Sequence, residues 1–279
     1  MKRALAALVL GCFAVLTVSP VVFLLTGTFM GSQEMLDLIA PMIKGTDSFA
    51  SWRLFPQYPT LRNVVGLLLD SPEFFQMFWN SVKLTGCILA GQLIVGMPAA
   101  WGLARYSFRG RGFLYMLYIV MMMMPFQVTM LSEYLVLDAM GLMDTSASVI
   151  LPGIFSTFSV FIMYRFFNGI PESIIEAARI DGAGELQIFL RIGIALGRPG
   201  ITSALVLAFL ECWNMIEQPM TFLTTKSRWP LSLFLPEIDG DNAGLSLCAS
   251  LAALLPAVFV FLMGQDYLEQ GIASSAMKE

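Results

Sequence analysis

The residue types with the most distinctive spacing lie in a polar segment, EAARIDGAGELQIFLRIGIA, at positions 176–195. This segment is rich in small residues and lies between two long apolar runs. It opens with Ala177 and Ala178 directly after an acidic residue, and Gly182 follows four positions after Ala178. Small side chains allow another backbone to approach closely, so the chemistry that this spacing suits is protein docking.

A helix, a turn and a second helix are predicted around this segment. Pro171 suits the first helical position, and Glu172 in the first turn suits the helix dipole. Gly182 is a natural helix stop. The first helix has an apolar arc and an opposite polar side. The arc holds Ile174, Ile175, Ala177 and Ala178, and the polar side holds Glu172, Glu176 and Arg179. The second helix, about 185–192, has an apolar side with Leu186, Phe189 and Leu190. Periodicity alone leaves an ordinary amphipathic helix at the membrane surface equally open.

Polar side chains inside apolar runs form the second group that could do chemistry. An ionisable group within a membrane span costs about 2.5–3.5 kcal/mol on insertion scales, so it usually faces a cavity or a partner. The candidate substrate-pathway residues are Gln127, Glu133, Tyr134, Glu211, Trp213, Asn214 and Glu217, with Gln92 and Gln218 as further neutral companions. Tyr134 and Trp213 offer flat apolar surface that suits the faces of a sugar ring. Helix–helix hydrogen bonding and interfacial positions remain the alternative.

Composition places these residues in a membrane protein. Hydrophobic residues make up 57% of the chain and charged residues 13%, and the mean hydropathy is +0.74, far above a soluble domain. Apolar runs of about 20 residues can each cross a hydrocarbon core as a helix. Six are predicted, within one membrane domain covering 1–279: about 5–29, 79–104, 112–137, 148–167, 200–217 and 245–266. The sequence therefore predicts an all-α membrane protein with six transmembrane helices.

The distribution of Lys and Arg predicts the orientation of the spans. With a cytoplasmic N-terminus, ten basic residues fall on the inner side and five on the outer side, and Lys83 lies near the outer end of the second span. The outer five are Lys44, Arg53, Arg62, Lys226 and Arg228. Both termini and residues 168–199 are therefore predicted to be cytoplasmic.

The run Met121–Met124, followed by Pro125, is the least usual apolar stretch. Flexible thioethers beside a helix-kinking proline could form a gate, and ordinary packing is the favoured alternative. The four cysteines all fall in predicted spans and are interpreted as packing residues. The chain has no histidine and no Walker A sequence, which argues against an enzyme and against ATP binding by this chain. No catalytic residue, metal ligand or nucleic-acid partner is predicted.

The polar segment resembles the coupling loop of binding-protein-dependent ABC importer permeases. Their pattern is Glu-Ala-Ala, three residues, Gly, nine residues, Ile, one residue, Leu-Pro. Here Glu176-Ala177-Ala178, Gly182 and Ile192 fill it at that spacing, while Ile194-Ala195 replaces Leu-Pro. Residues 168–199 are called the coupling loop below. Further segments are similar to the carbohydrate-uptake branch that includes the smaller maltose permease subunit. They are Asn80-Ser81, Leu103-Ala104-Arg105-Tyr106, Ile170-Pro171-Glu172, Ile180-Asp181-Gly182-Ala183 and Trp213-Asn214.

The resemblance implies a type I importer permease in a bacterial inner membrane, forming half of a pathway for a sugar or oligosaccharide. It implies four kinds of partner: a second permease subunit, two cytoplasmic ATPase subunits that bind ATP and Mg, an extracytoplasmic solute-binding protein, and the bilayer. The ATPase-coupling residues that it implies are Glu176, Ala177, Ala178, Asp181 and Gly182. In that picture Glu176 meets a basic residue of the ATPase. The alternatives are a secondary transporter or channel, and a permease for a non-sugar solute such as glycerol phosphate.

Overall fold

The computed structural model describes residues 2–43, 55–234 and 242–276, with side chains for 6–38, 55–234 and 242–269. Lys44, Arg53 and Lys278, which contribute to the predicted orientation, lie outside these ranges. The α-helices up to the coupling loop are α1 Lys2–Thr28, α2 Ser32–Ile43, α3 Arg62–Leu69, α4 Pro72–Gly91, α5 Met97–Arg105, α6 Arg111–Met123, α7 Phe126–Ala139, α8 Ser146–Ile154 and α9 Thr157–Gly169. The remaining α-helices are α10 Glu172–Ile180, α11 Glu185–Ile188, α12 Ile194–Trp213, α13 Glu217–Phe222 and α14 Ala243–Ala276.

Two single π-helical turns and two short 3-10 turns complete the regular structure of the described chain. The π turns, Gln92–Gly96 and Phe189–Gly193, join α4 to α5 and α11 to α12 without interrupting either helix. Such turns insert a residue into a helix while its backbone stays hydrogen-bonded. The 3-10 turns are Lys226–Arg228 and Leu231–Leu233.

Within the described residues, five helices are long and apolar enough to cross a bilayer, and a sixth crossing results if α6 and α7 form one broken span. The predicted all-α membrane architecture is thereby confirmed. The helical bounds of the crossings differ from the predicted runs. Three helices extend beyond their apolar runs at both ends, whereas the runs 5–29 and 200–217 continue past a helical end. The five long helices are Ala6–Thr28, Pro72–Arg105, Ser146–Gly169, Glu185–Trp213 and Ala243–Glu269.

The third predicted span, 112–137, is not one helix. It is broken between α6 and α7, whose axes are bent by 106°. Met124 and Pro125 both have extended backbone, with ψ of 124° and 149°. Proline lacks the N–H for a helical bond and forces the preceding residue out of the helical region, so Pro125 ends α6 and starts α7. The sequence indicated a kink here, and the structure has a full break.

The described residues group into two compact units. One comprises residues up to 76 together with 234–256. Within it the buried Asn63 side-chain amide donates to the carbonyls of Thr28 (3.0 Å) and Met30 (2.9 Å). These bonds satisfy carbonyls left free at the end of α1, and thereby hold α3 to that end.

The other unit, residues 77–233 and 257 onward, contains the largest buried apolar cluster, formed by α5, α9, α10 and the α11–α12 helix. Trp101 packs edge-on against Phe167, with ring centroids 5.3 Å apart. A Cβ at Gly193 would meet the Trp101 ring, and one at Gly197 would meet Phe167. Glycine at these positions lets α12 lie close to α5 and α9, which positions both candidate sites.

Candidate functional site

The first helix of the coupling loop, α10, ends as the sequence predicts. Gly182 has φ of +83°, a conformation that favours glycine. The Gly182 N–H donates to the Arg179 carbonyl (3.0 Å), and the Ala183 N–H donates to the Ala178 carbonyl (3.0 Å). This pair of bonds is a Schellman motif. No atom lies within 4 Å of a Cβ built at Gly182, so backbone conformation, not space, requires glycine here.

The side chains of α10 divide between a buried and an outward face. Ile175 and Ala178 are buried in the apolar cluster, with exposures of 1% and 9%. Glu176 and Ala177 are exposed, and Ile180 is 86% exposed. The buried arc is therefore narrower than predicted, and the outward face presents Glu176, Ala177 and Ile180. Glu176 makes no hydrogen bond or ion pair with any residue that the structure describes.

The residues that flank α10 at its two ends are exposed. Pro171 is one position before the first helical residue, with ψ of 133°, so it is the N-cap and not the first helical residue. Asp181 caps the other end, and its N–H donates to the Ala177 carbonyl (3.0 Å). The side chain of Asp181 is exposed, so the tip of the loop adds a second carboxylate beside the outward face.

The predicted second helix, about 185–192, is not a separate element. It forms the start of a helix that continues through the π turn Phe189–Gly193 to Trp213. Phe189 is 8% exposed and buried as predicted, whereas Leu186 and Leu190 are 70% and 52% exposed. Helical residues three to four apart share a face, so Leu186 and Leu190 extend the apolar surface of the coupling loop.

Arg105, the last residue of α5, fixes the start of the coupling loop. Its side chain is only 7% exposed and pairs with Glu172 (Nη1–Oε2 3.0 Å). Its other terminal nitrogen donates to the carbonyls of Phe167 and Ile170. Arg105 therefore caps the end of α9 and holds the first turn of α10. Sequence reasoning named this arginine only within a segment similar to the carbohydrate-uptake branch and gave it no structural role.

A second set of charged contacts closes the loop on its exposed side. Arg179 pairs with Glu185 (Nε–Oε1 2.8 Å) and also with Glu172 (3.6 Å). The hydrogen bond from Arg179 to Glu185 raises the pKa of the Arg179 guanidinium above its ordinary value. The Tyr106 hydroxyl lies 3.3 Å from the Glu185 carboxylate and donates to it. Arg179 thus ties the end of α10 to the start of the α11–α12 helix and also pairs with the first residue of its own helix.

The second candidate site is an open cavity of about 620 Å³ beside the α6–α7 break. Its walls come from the end of α4, the α6–α7 break, the α8–α9 connection, the end of α12 and the start of α13. Three carboxylates line it, and Lys and Arg are absent from the described lining. The polar lining residues are Gln92, Thr129, Glu133, Ser156, Thr157, Glu211, Asn214, Glu217 and Gln218.

Hydrogen bonds fix part of this lining. The Gln127 amide donates to both oxygens of Glu217, at 2.6 and 2.8 Å. The Gln92 amide donates to the Gly153 carbonyl (2.9 Å) and accepts from the buried Ser159 hydroxyl (2.9 Å). Glu133 differs, because its Oε2 is enclosed without a hydrogen-bond partner among the described residues. The cavity thus has fixed amide and carboxylate groups together with one enclosed carboxylate oxygen that has no described hydrogen-bond partner.

Comparison with known proteins identifies the family. The family described as "Binding-protein-dependent transport system inner membrane component" matches residues 92–274. This range includes the coupling loop and every described lining residue of the cavity except Ile88. The chain belongs to this family. It is therefore a multi-pass membrane component of a binding-protein-dependent transport system.

Curated permeases and solved structures are similar to this permease. The arabinooligosaccharides transport system permease protein AraQ of Bacillus subtilis is 30% identical over 226 residues, covering 80% of each chain. The diacetylchitobiose uptake system permease protein NgcG of Streptomyces coelicolor is 23% identical, covering 95% of this chain and 86% of its own. A chain of a bacterial ABC transporter that imports the acidic polysaccharide alginate shares the fold, with a TM-score of 0.79, 21% identity and coverage of 95% and 96%.

The permease places the sequence-predicted pathway residues in two groups. Glu133, Glu211, Asn214 and Glu217 line the cavity, and Gln127 reaches it through Glu217. Trp213 is 5% exposed and stacks on Phe209, with centroids 5.5 Å apart, so it is a packing residue. Tyr134 is 39% exposed and absent from the lining. Successive residues of a helix point about 100° apart, so neighbours of Glu133 and Asn214 in sequence need not share their surface.

Other lining residues of the permease were missed or left open by sequence reasoning. Phe126, Phe155 and Phe158 supply the aromatic surface that was assigned to Tyr134 and Trp213. They lie at helix breaks. For the break between α8 and α9, the sequence signals are Pro152-Gly153 and Ser156 within an apolar run. Met121, Met122 and Met124 line the cavity, whereas Met123 is 76% exposed and does not. The methionine run is thus divided between cavity and outer surface.

Proposed function

We propose that this chain is a permease subunit of an ATP-driven importer and forms half of the translocation pathway for a sugar or oligosaccharide. The observation that carries the proposal is the outward face of α10, where Glu176, Ala177 and Ile180 are exposed at the tip of a loop that is otherwise tied down. Relatives named for arabinooligosaccharides, diacetylchitobiose and lactose support a carbohydrate as the solute.

The outward face of α10 suits a groove in a cytoplasmic ATPase. Ile180 offers an apolar side chain that is 86% exposed, and Ala177 beside it allows close approach. Glu176 supplies an unpaired carboxylate for a basic residue of the partner, while Asp181 adds negative charge at the tip. Ala178 has a different role, since it packs against this chain's own core. Gly182 makes the turn that sets the position of the tip.

The ATPase would be a pair of separate subunits that bind ATP and Mg. Closure of that pair on ATP would displace α10, because the outward face is seated in the ATPase. The displacement would then reach the spans through the contacts that hold the coupling loop. In this arrangement the permease itself performs no chemical step and supplies only the pathway and its switching.

The cavity is the proposed substrate pathway of this half of the transporter. The amide groups of Asn214 and Gln218 can donate and accept hydrogen bonds with sugar hydroxyls, and the carboxylates of Glu133 and Glu211 can accept them. Phe155 and Phe158 offer apolar surface for the faces of a sugar ring. A second, non-identical permease subunit would supply the facing wall. An extracytoplasmic solute-binding protein would deliver the solute to the outer side.

Both termini and the coupling loop are proposed to be cytoplasmic, as the distribution of Lys and Arg indicates. Single cysteines introduced at exposed positions on the two sides test this orientation. A membrane-impermeant thiol reagent applied to intact cells should label position 227, between α13 and α14, and should spare position 187 in the coupling loop. The reverse pattern would overturn the orientation.

Reconstituted transport tests the function. The permease is purified with its co-purifying subunits, placed in proteoliposomes with the solute-binding protein, and supplied with ATP on the ATPase side. Uptake of labelled oligosaccharides that depends on both ATP and the binding protein is the expected result. Uptake driven by a proton gradient without ATP would replace the importer with a secondary transporter. ATP-dependent uptake of glycerol phosphate alone would replace only the sugar.

A further inference from the structure

Arg105 makes contacts that join three helices at the base of the coupling loop. It is the last residue of α5 and donates to the carbonyls of Phe167 and Ile170 at the end of α9. The same guanidinium pairs with Glu172 in the first turn of α10 at 3.0 Å. A displacement of α10 therefore acts directly on a group that is fixed to both α5 and α9.

The guanidinium is also held from the side of the apolar cluster. Its central carbon lies 5.6 Å from the centroid of the Trp101 ring. Trp101 in turn packs on Phe167 and on Phe189, at centroid distances of 5.3 and 5.5 Å. A Cβ at Gly193 would meet the same ring. The α11–α12 helix is thus a fourth element here, because it contacts the Trp101 ring. Arg105, Trp101, Phe167, Ile170 and Glu172 are together called the Arg105 junction below.

The helices that leave the Arg105 junction end at the cavity. α5 is continuous through a π turn with Gln92, which lines the cavity. α9 starts at Thr157 and α12 ends beside Asn214, and both residues line the cavity. The 13 residues of α9 span about 20 Å at the usual rise of 1.5 Å per residue. Rigid helices therefore link the coupling loop to the cavity wall.

A planar guanidinium suits this position better than a lysine ammonium. Arginine presents several N–H donors in a fixed fork and stacks on aromatic rings, whereas a lysine ammonium is a compact point charge. Arg105 uses this fork for two carbonyls and one carboxylate while lying over Trp101. Arg109, four residues away, is exposed and has no ion pair or hydrogen bond with the described residues, so it provides a matched control.

We propose that Arg105 is the positioning residue that transmits displacement of the coupling helix to the spans around the cavity. The inference rests on the proposed function, because it assumes that an ATPase moves α10. Without the Arg105 side chain, α10 keeps its outward face and its Schellman turn. The ATPase therefore still docks and hydrolyses ATP, but the movement no longer reaches α5 and α9 together.

The test compares four complexes in proteoliposomes: wild type, Arg105→Ala, Arg105→Lys and Arg109→Ala. Uptake and ATP hydrolysis are measured on the same preparation. Arg105→Ala is expected to keep ATP hydrolysis and to raise the ATP consumed per solute about tenfold, as the loss of several charge-assisted hydrogen bonds implies. Arg105→Lys is expected to restore part of the coupling, and Arg109→Ala to match the wild type.

A second readout follows the cavity itself and does not depend on uptake. The rate at which Cys212, which lines the cavity, reacts with a thiol reagent is measured with and without a trapped ATP analogue. This uses a variant whose other three cysteines are replaced. Trapping is expected to change the rate in the wild type and in Arg109→Ala, and to leave it unchanged in Arg105→Ala.

The two hypotheses fail in different ways. Absence of ATP-dependent uptake by the wild-type complex would remove the proposed function. Coupled wild-type uptake together with an unchanged ATP-to-solute ratio in Arg105→Ala would overturn the inference. If Arg105→Ala does not assemble, Glu172→Gln takes its place, since it breaks the ion pair and leaves both carbonyl contacts intact. A wild-type ratio and a wild-type change in Cys212 reactivity in Glu172→Gln would then overturn the inference.

Discussion

Ala177 and Ala178 are neighbours in sequence but face different surroundings. Ala177 is exposed, and Ala178 is 9% exposed within the apolar cluster. The resemblance assigned one docking role to both residues, because a motif carries no information on which face of a helix turns inward. The fold supplies that information by burying Ile175 and Ala178 on one side.

Leucine substitutions separate the two roles. Ala178→Leu is expected to overpack the cluster and to lower the free energy of unfolding by about 1–3 kcal/mol. Ala177→Leu is expected to leave stability unchanged and to weaken binding of the ATPase. Thermal unfolding of the purified permease and the amount of co-purified ATPase measure the two effects. Equal loss of stability in both variants would contradict the division of faces.

The charged side chain of Asp144 holds the segment 224–228 in place. Its φ of +54° is unusual for a non-glycine residue. One carboxylate oxygen accepts the N–H groups of Thr224 (3.0 Å) and Thr225 (2.9 Å). The other accepts the Thr225 hydroxyl (2.7 Å) and pairs with Arg228 (3.2 Å). The side-chain hydrogen bond from Thr225, followed by the backbone bond from the same residue, lowers the pKa of Asp144.

This lowered pKa predicts acid-sensitive order in segment 223–229. A carboxylate whose pKa is lower in the folded state stabilises the fold above its unfolded value of about 3.9, and the contribution is lost as the pH falls through the lower folded value. Proteolytic cleavage of the segment is therefore expected to rise as the pH falls below about 4. The cleavage rate is measured with an acid-stable protease. A denatured substrate serves as the control for the pH dependence of the protease itself. Asp144→Asn should cleave readily at neutral pH, and Asp138→Asn should behave as the wild type. If segment 223–229 were as resistant to cleavage in Asp144→Asn as in the wild type, the proposed role of the Asp144 carboxylate would be contradicted.

At the scale of elements, the methionines at the broken span between α6 and α7 differ in position. Met121, Met122 and Met124 line the cavity at the break, while Met123 is turned away. Apolar runs predict that a span exists, but in lipid both faces of a helix are apolar, so hydropathy does not reveal a break. Pro125 gave the only signal, and it could not distinguish a kink from two helices at 106°.

Leucine in place of the three lining methionines tests the gate. Thioether side chains adapt to changing surroundings more easily than branched ones, so the triple variant is expected to transport several-fold more slowly. Met123→Leu is expected to transport at the wild-type rate. Uptake at saturating solute and ATP measures both. Unchanged rates in the triple variant would remove the gate and leave packing as the role of these residues.

At the scale of the whole molecule, the sequence predicted the all-α membrane class and the position of α10, but not the tertiary connections. The Glu-Ala-Ala and Gly spacing located α10, and Gly182 marked its end. The continuity of Glu185–Trp213 was missed because Gly193, Gly197 and Pro199 indicate a loop when each is considered alone. In the fold the two glycines are packing sites for Trp101 and Phe167. Arg105 was missed for a similar reason, since its partners lie more than 60 residues away.

The charge of the cavity is a second property that emerges only from the whole fold. The fold brings Glu133, Glu211 and Glu217 together in the cavity wall, and no described lining residue is Lys or Arg. Opposite charges attract most strongly where water is limited. Cys212 alone, with the other three cysteines replaced, is therefore expected to react faster with a cationic than with an anionic thiosulfonate. Glu211→Gln should reduce that ratio, and Glu73→Gln should not. A ratio of one in the parent variant would contradict a negative cavity.

The central claim is that this permease works through an ATPase seated on the outward face of α10. The most direct test is mild-detergent purification of the tagged chain from its native membrane, followed by mass spectrometry of the associated proteins. We expect a second permease and an ATPase to co-purify, and Glu176→Lys to lose the ATPase while retaining the second permease. Purification of the wild-type chain alone or as a homomer would contradict the account.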